Sequence, residues 1–132
     1  MTAPDFSALG DESFVSLTTF RKSGARVSTP VWIARDGDAL VVTTPADTGK
    51  VKRLRNSGRV ELSPSTRMGK VADGTSPVVG FARIHADDAT IERVTGIIRE
   101  KYRLEYHVMT VIETLANKGR KPRVMLRITP GE

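Results

Sequence analysis

Six short stretches of this chain alternate apolar and polar side chains at a period of two, and that pattern limits what the chain can fold into more than any other feature. Such alternation gives each stretch one face for a core and one for water, which is the mark of antiparallel strands. The first runs from Phe14 to Phe20, with Val15, Leu17 and Thr19 on one face and Phe14, Ser16 and Thr18 on the other. Ser23 and Gly24 supply a turn, and Arg26 to Arg35 alternates again through Val27, Thr29, Val31 and Ile33. Asp36-Gly37-Asp38 then makes a tight connection into Ala39 to Thr44. The expectation is a meander of three antiparallel strands.

Pro45 and Asp47 break the third strand, and Thr48 to Asn56 reads as a short basic helix capped by Asp47 or Thr48 and ended by Gly58. Val60 and Leu62 alternate with Glu61 and Ser63 in a fourth strand, and a loop rich in Gly, Ser, Thr and Lys runs from Pro64 to Pro77. Val78 to His85 is a fifth strand. Asp87 or Asp88 caps a helix on which Ile91, Val94, Ile98 and Tyr102 recur at helical spacing, and a second amphipathic segment carries Leu104, Val108, Val111, Ile112 and Leu115 before Gly119. Arg123 to Ile128 closes the pattern as a sixth strand. Six short strands with helices inserted late, in 132 residues, predict one mainly β domain built as a six-stranded antiparallel barrel, closed or partly closed. Parallel βαβ alternation and internal repeats are both absent from the sequence.

Composition removes several function classes. There is no cysteine, and His85 and His107 cannot form a zinc centre unaided, so no metal site is expected. No run approaches the roughly 20 apolar residues of a membrane span, and the N-terminus lacks the pattern of a signal peptide, which predicts a cytoplasmic protein without membrane contact. The acidic residues show no paired spacing for glycosidase chemistry, and no Gly-x-Ser-x-Gly, P-loop or dinucleotide fingerprint occurs. Basic residues outnumber acidic ones by 21 to 15, giving a formal charge of +6 that favours anionic ligands of any kind. None of the Trp, Tyr and Phe residues falls within Lys50 to Asn56, which argues against a base-stacking platform and hence against nucleic acid as a partner.

Three sets of residues carry possible chemistry. Lys50, Lys52, Arg53 and Arg55 cluster near a helix start, where backbone amides, helix dipole and cationic groups all favour a phosphate. The same residues also fit a solvated helix face that touches nothing. Ser28, Thr29, Pro30 and Val31 form the second set, because a proline inside a strand removes a ladder donor and belongs at an edge or a bulge. Thr43 and Thr44, the third, end a strand just before the basic corner, where they are either ligand-binding hydroxyls or ordinary strand formers.

The ordered segments Val15 to Phe20, Ser28 to Trp32, Asp36 to Thr44, Gly49 to Asn56 and Arg59 to Leu62 together resemble the pyridoxamine-phosphate-oxidase-like split-barrel superfamily, and most of all its F420-dependent branch. The resemblance is close from about residue 9 to 86 and looser over the last strand. It implies a homodimer that binds coenzyme F420, with FMN as the alternative, between two chains. It also implies that the basic corner meets the cofactor phosphate and that Ser28 to Val31 lie beside the deazaflavin or isoalloxazine ring. The implied reaction is hydride transfer from C5 of the reduced deazaflavin to a small electron-poor substrate. In that scheme the Pro64 to Pro77 loop, with Arg67 and Lys70, covers substrate or grips the acidic tail of the coenzyme. The residues alone leave open an FMN-dependent oxidase or reductase of the same fold, and a non-catalytic basic barrel that binds cofactor or nucleic acid.

Overall fold

In a computed structural model of the chain, which describes residues 5–104 and 122–131, seven strands form one antiparallel sheet. In chain order they are β1 (Val15–Phe20), β2 (Arg26–Val31), β3 (Ala34–Asp36), β4 (Ala39–Pro45), β5 (Arg59–Pro64), β6 (Val78–His85) and β7 (Arg123–Pro130). Helix α1 (Gly49–Asn56) lies between β4 and β5, and α2 (Asp88–Tyr102) follows β6. Across the sheet the order is β2-β1-β5-β6-β7-β4-β3. The first and last strands of that order, β2 and β3, are joined only by Trp32 and Ile33, a span of roughly 10 Å at most. The sheet therefore has to curl until its two ends meet, which makes it a split barrel.

The strand count is seven rather than six because the Arg26 to Arg35 stretch divides. Its first half pairs with β1, Val15 facing Val31 and Phe20 facing Arg26, while its second half pairs with β4, Ala34 facing Val41. The expected meander is corrected accordingly: β1 and β2 form one hairpin, β3 and β4 form another, and β2 and β4 do not pair. The turns are as the sequence predicts, with Gly24 and Gly37 both at positive φ.

Alternation then sorts the core. Val15, Leu17, Val31, Ile33, Leu40, Val42, Val60, Leu62, Leu126 and Ile128 fill the barrel, and Leu54 of α1 joins them from one mouth. Val94, Ile98 and Tyr102 of α2 pack on the outside against Ala34, Val41 and Met125, with Trp32 at the margin. Asp87 caps α2 by accepting from Thr90 N at 3.0 Å, and α2 contacts β3, β4 and β7. Of the second amphipathic segment, Leu104 is exposed, and Val108, Val111, Ile112 and Leu115 lie outside the described residues. No helix among the described residues is long and apolar enough to cross a membrane.

Candidate functional site

The division of the long strand opens the barrel. Continuing the β3–β4 register would set Val31 opposite Thr44 and Pro30 opposite Pro45, but β3 pairs only with Ala39, Leu40 and Val41. Two prolines at that seam remove the donors a ladder would need. No ladder joins β2 to the end of β4, so an unpaired seam, or cleft, runs between those two strands. Of the two places expected for Pro30, an edge or a bulge, the structure shows the edge: β2 ends the sheet order, and among the described residues its only ladder partner is β1.

The hairpin shows which backbone groups face that cleft. Arg21 N donates to Ala25 O at 2.9 Å, so odd residues of β1 make the hydrogen-bonded pairs with β2. Val27, Thr29 and Val31 consequently turn their amides and carbonyls to β1. Ser28 turns both of its groups outward, and Pro30 offers a carbonyl alone. Side chains alternate the other way, with Val31 in the barrel interior and exposed Ser28 on the outer face, where its Oγ lies 2.6 Å from Thr18 Oγ1. Thr29 points inward with Val31, and its Oγ1 is buried without a hydrogen-bond partner among the described residues. A buried hydroxyl left unsatisfied costs about 1–3 kcal/mol, so it suits a polar ligand atom.

Helix α1 packs against β1 and β6 and follows directly on β4. Thr48 is its N-cap, yet its hydroxyl accepts from none of the first amides and donates to Pro45 O at 3.2 Å. No acidic residue occupies the first turn. Arg53 folds back over that turn so closely that a Cβ on Gly49 would lie 2.7 Å from its Nη1, and its Nε donates to the buried Thr19 Oγ1 at 2.6 Å. Lys50 is half-buried beside it; burial, then the charges of Arg53 and Arg123, hold its pKa below the ordinary lysine value. For Arg53 burial, then Arg21, act in the same direction. Arg123 enters from β7, its Nε donating to Thr43 Oγ1 at 2.9 Å.

Of the sequence-predicted residues, the structure groups Lys50, Arg53 and Thr43 around Arg123, sets Thr44 beside Thr48, and keeps Ser28, Thr29, Pro30 and Val31 together on the edge strand β2. Thr43 is held by Arg123; Thr44 is buried, with its Oγ1 at 3.4 Å from Thr48 Oγ1. Lys52 and Arg55 are exposed, turned away from the packed side of α1 that carries Val51 and Leu54. Arg67 and Lys70 are exposed in the Pro64 to Pro77 loop, which closes on itself through Lys70 N to Thr66 Oγ1 at 3.1 Å. Gly69 of that turn faces the Pro30 ring, where an added Cβ would lie 3.4 Å from Pro30 Cδ. His85 ends β6 with its Nδ1 3.9 Å from Asp87 Oδ1, and His107 lies outside the described residues.

Sequence reasoning missed Arg123, Lys101 and the role of Tyr102. No local signal marks Arg123. Tyr102 carried a usable one, since a tyrosine on the apolar face of a helix must find a partner for its hydroxyl when buried.

The pyridoxamine 5'-phosphate oxidase family model matches residues 6–132, nearly all of this chain. The chain belongs to that family. No curated protein matches it. Among solved structures, an F420 reductase shares 18% identity over 99% of this chain and 97% of its own, with a TM-score of 0.60. A conserved hypothetical protein from Mycobacterium tuberculosis shares 21% over 98% of this chain and 82% of its own, at 0.67. HutZ, a heme storage protein from Vibrio cholerae, shares 11% over 94% and 85%, at 0.66. At these identities the likeness is one of fold.

Proposed function

We propose that this member of the family is an F420-dependent oxidoreductase, working as a homodimer on a small electron-poor substrate. One observation carries the cofactor reading: Lys50 and Arg53 crowd the N-terminal turn of α1, the end where a cation is least favoured. Arg123 adds a third positive charge, and no carboxylate among the described residues hydrogen-bonds to Lys50 or Arg53. Like charges, partial burial and a helix dipole of the same sign make the positions of Lys50 and Arg53 unfavourable until an anion arrives.

Lys50, Arg53 and Arg123, with the free amides of α1, would hold a phosphate. Along the β2 lip the outward Ser28 amide and carbonyl, the Pro30 carbonyl and the Thr29 hydroxyl would orient a planar ring bearing both donors and acceptors. The deazaflavin ring, when bound, supplies hydride chemistry. The Gly69 turn against Pro30 would limit water at that end of the lip. The homodimer reading is supported by Phe81, 47% exposed on β6 between Arg59 and Thr129 of the neighbouring strands. An apolar ring of that size on a sheet face suits a second chain.

Side-by-side fluorescence titrations with F420 and FMN test the cofactor. Tighter binding of F420 is expected, and a tighter FMN complex would overturn the assignment while leaving the anion site in place.

A further inference from the structure

The apex of the cleft is built by side chains from the far end of α2. If the β1–β2 ladder continued by one hydrogen-bonded rung, Ile33 N–H would donate to Ser13 O. Instead the Tyr102 hydroxyl sits in that rung: it accepts from Ile33 N at 2.9 Å and lies 2.7 Å from Ser13 O and 3.0 Å from Ile33 O, either of which can take its proton. Lys101 Nζ donates to Ile33 O and, at 2.7 and 2.6 Å, to the carbonyls of Gly10 and Glu12. The Trp32 ring stacks on Tyr102 with centroids 4.3 Å apart and planes 11° off parallel.

Both backbone groups of Ile33 are thus taken by α2 rather than by a neighbouring strand. The strand divides at these same residues, Trp32 and Ile33, so the contacts with α2 stand where β2 ends and β3 begins. The phosphate-facing residues stand on α1, β4 and β7, whereas Ser28, Thr29 and Pro30 stand on β2. A change at the apex moves one set against the other.

We propose that Tyr102 and Lys101 are positioning residues that set the width of the cleft, and so the fit of the ring against β2, without touching the ligand. This rests on the cofactor reading above. Tyr102→Phe removes the inserted hydroxyl and keeps the stack on Trp32. F420, which spans both sets, should weaken by about tenfold, the scale of one hydrogen bond, and its ribityl deazaflavin fragment without phosphate, which meets only the β2 set, by less, so that the ratio of their affinities shrinks. A purely structural role would lower the melting temperature and leave both affinities as in wild type, which would overturn the proposal. So would an equal loss for both compounds.

Should Tyr102→Phe fail to fold, amide hydrogen exchange on the wild-type protein decides the matter. Linkage requires that a ligand dependent on the clamp strengthens it, so saturation with F420 should slow exchange of Ile33 N–H. An unchanged Ile33 rate at saturation overturns the proposal. If wild type binds neither compound, the cofactor reading itself fails and takes the proposal with it.

Discussion

Lys50→Met should make the ligand-free protein more stable and the cofactor complex weaker, two effects of opposite sign from one ammonium group. Methionine keeps the apolar stem that lies half-buried against α1 and removes only the charge. In the free protein that charge sits at the positive end of the helix dipole beside Arg53 and Arg123, and burial disfavours it further. A surface-type dipole interaction is about 0.3–1 kcal/mol, so relief of this order is expected, or roughly 1–5 °C in melting temperature for a domain of this size. Linkage gives a second check. Because the folded pKa lies below the ordinary 10.5, the unfolded chain holds the proton longer, and the Lys50 penalty is fully present at low and neutral pH. It fades as pH rises from the lowered folded value towards 10.5, so wild-type stability should gain on Lys50→Met across that window. With ligand, the loss of one charge-assisted contact should cost about 1.5–3 kcal/mol, or about one to two decades in dissociation constant for F420. The phosphate-free fragment should bind as before. Calorimetry on the free protein and fluorescence titration on both variants measure the two quantities. A Lys50→Met protein that melts lower than wild type would refute the reasoning, since the ammonium would then be stabilising the fold through a partner rather than waiting for an anion.

Other consequences follow from the same geometry. Thr29→Val replaces the unpartnered buried hydroxyl with a methyl of the same shape, so stability should hold or rise by up to about 1 kcal/mol while affinity for the phosphate-free deazaflavin fragment falls; chemical denaturation and titration read the two. Asp36 accepts from Arg93 at 2.6 Å and Arg127 at 3.1 Å, and the Arg93 hydrogen bond is the leading reason its pKa is lowered. Its contribution is complete above the ordinary 3.8 and is lost as pH falls through the lower folded value, so acid unfolding should be steeper in wild type than in Asp36→Asn. Phe81→Glu should yield monomers in sedimentation if the exposed ring lies in a subunit interface, and dimers of wild-type affinity would remove Phe81 from that role.

What could be read in advance depended on how far apart in the chain the causes lie. The alternation of Val27, Thr29, Val31 and Ile33 correctly assigned those side chains to one face, and Val31 and Ile33 are indeed both buried inside the barrel. It could not reveal that the strand divides between them, because the pattern runs on unbroken and the hydroxyl that takes the Ile33 amide comes from 69 residues away. In the same way Lys50 and Arg53 were visible as a cluster because helical spacing puts them together, whereas Arg123 reaches Thr43 across 80 residues and looks locally like any basic residue at a strand start. Helical spacing also separates Lys50 and Arg53 from exposed Lys52 and Arg55. The lysine and tyrosine that end α2 invite an ordinary explanation, a cation and an apolar residue placed where a helix C-terminus favours them. Their backbone partners show a different use. Short-range periodicity encodes which way a side chain faces, and long-range polar contacts encode where the sheet opens. In this fold the opening makes the site, so the residues that shape it were the hardest to find from sequence.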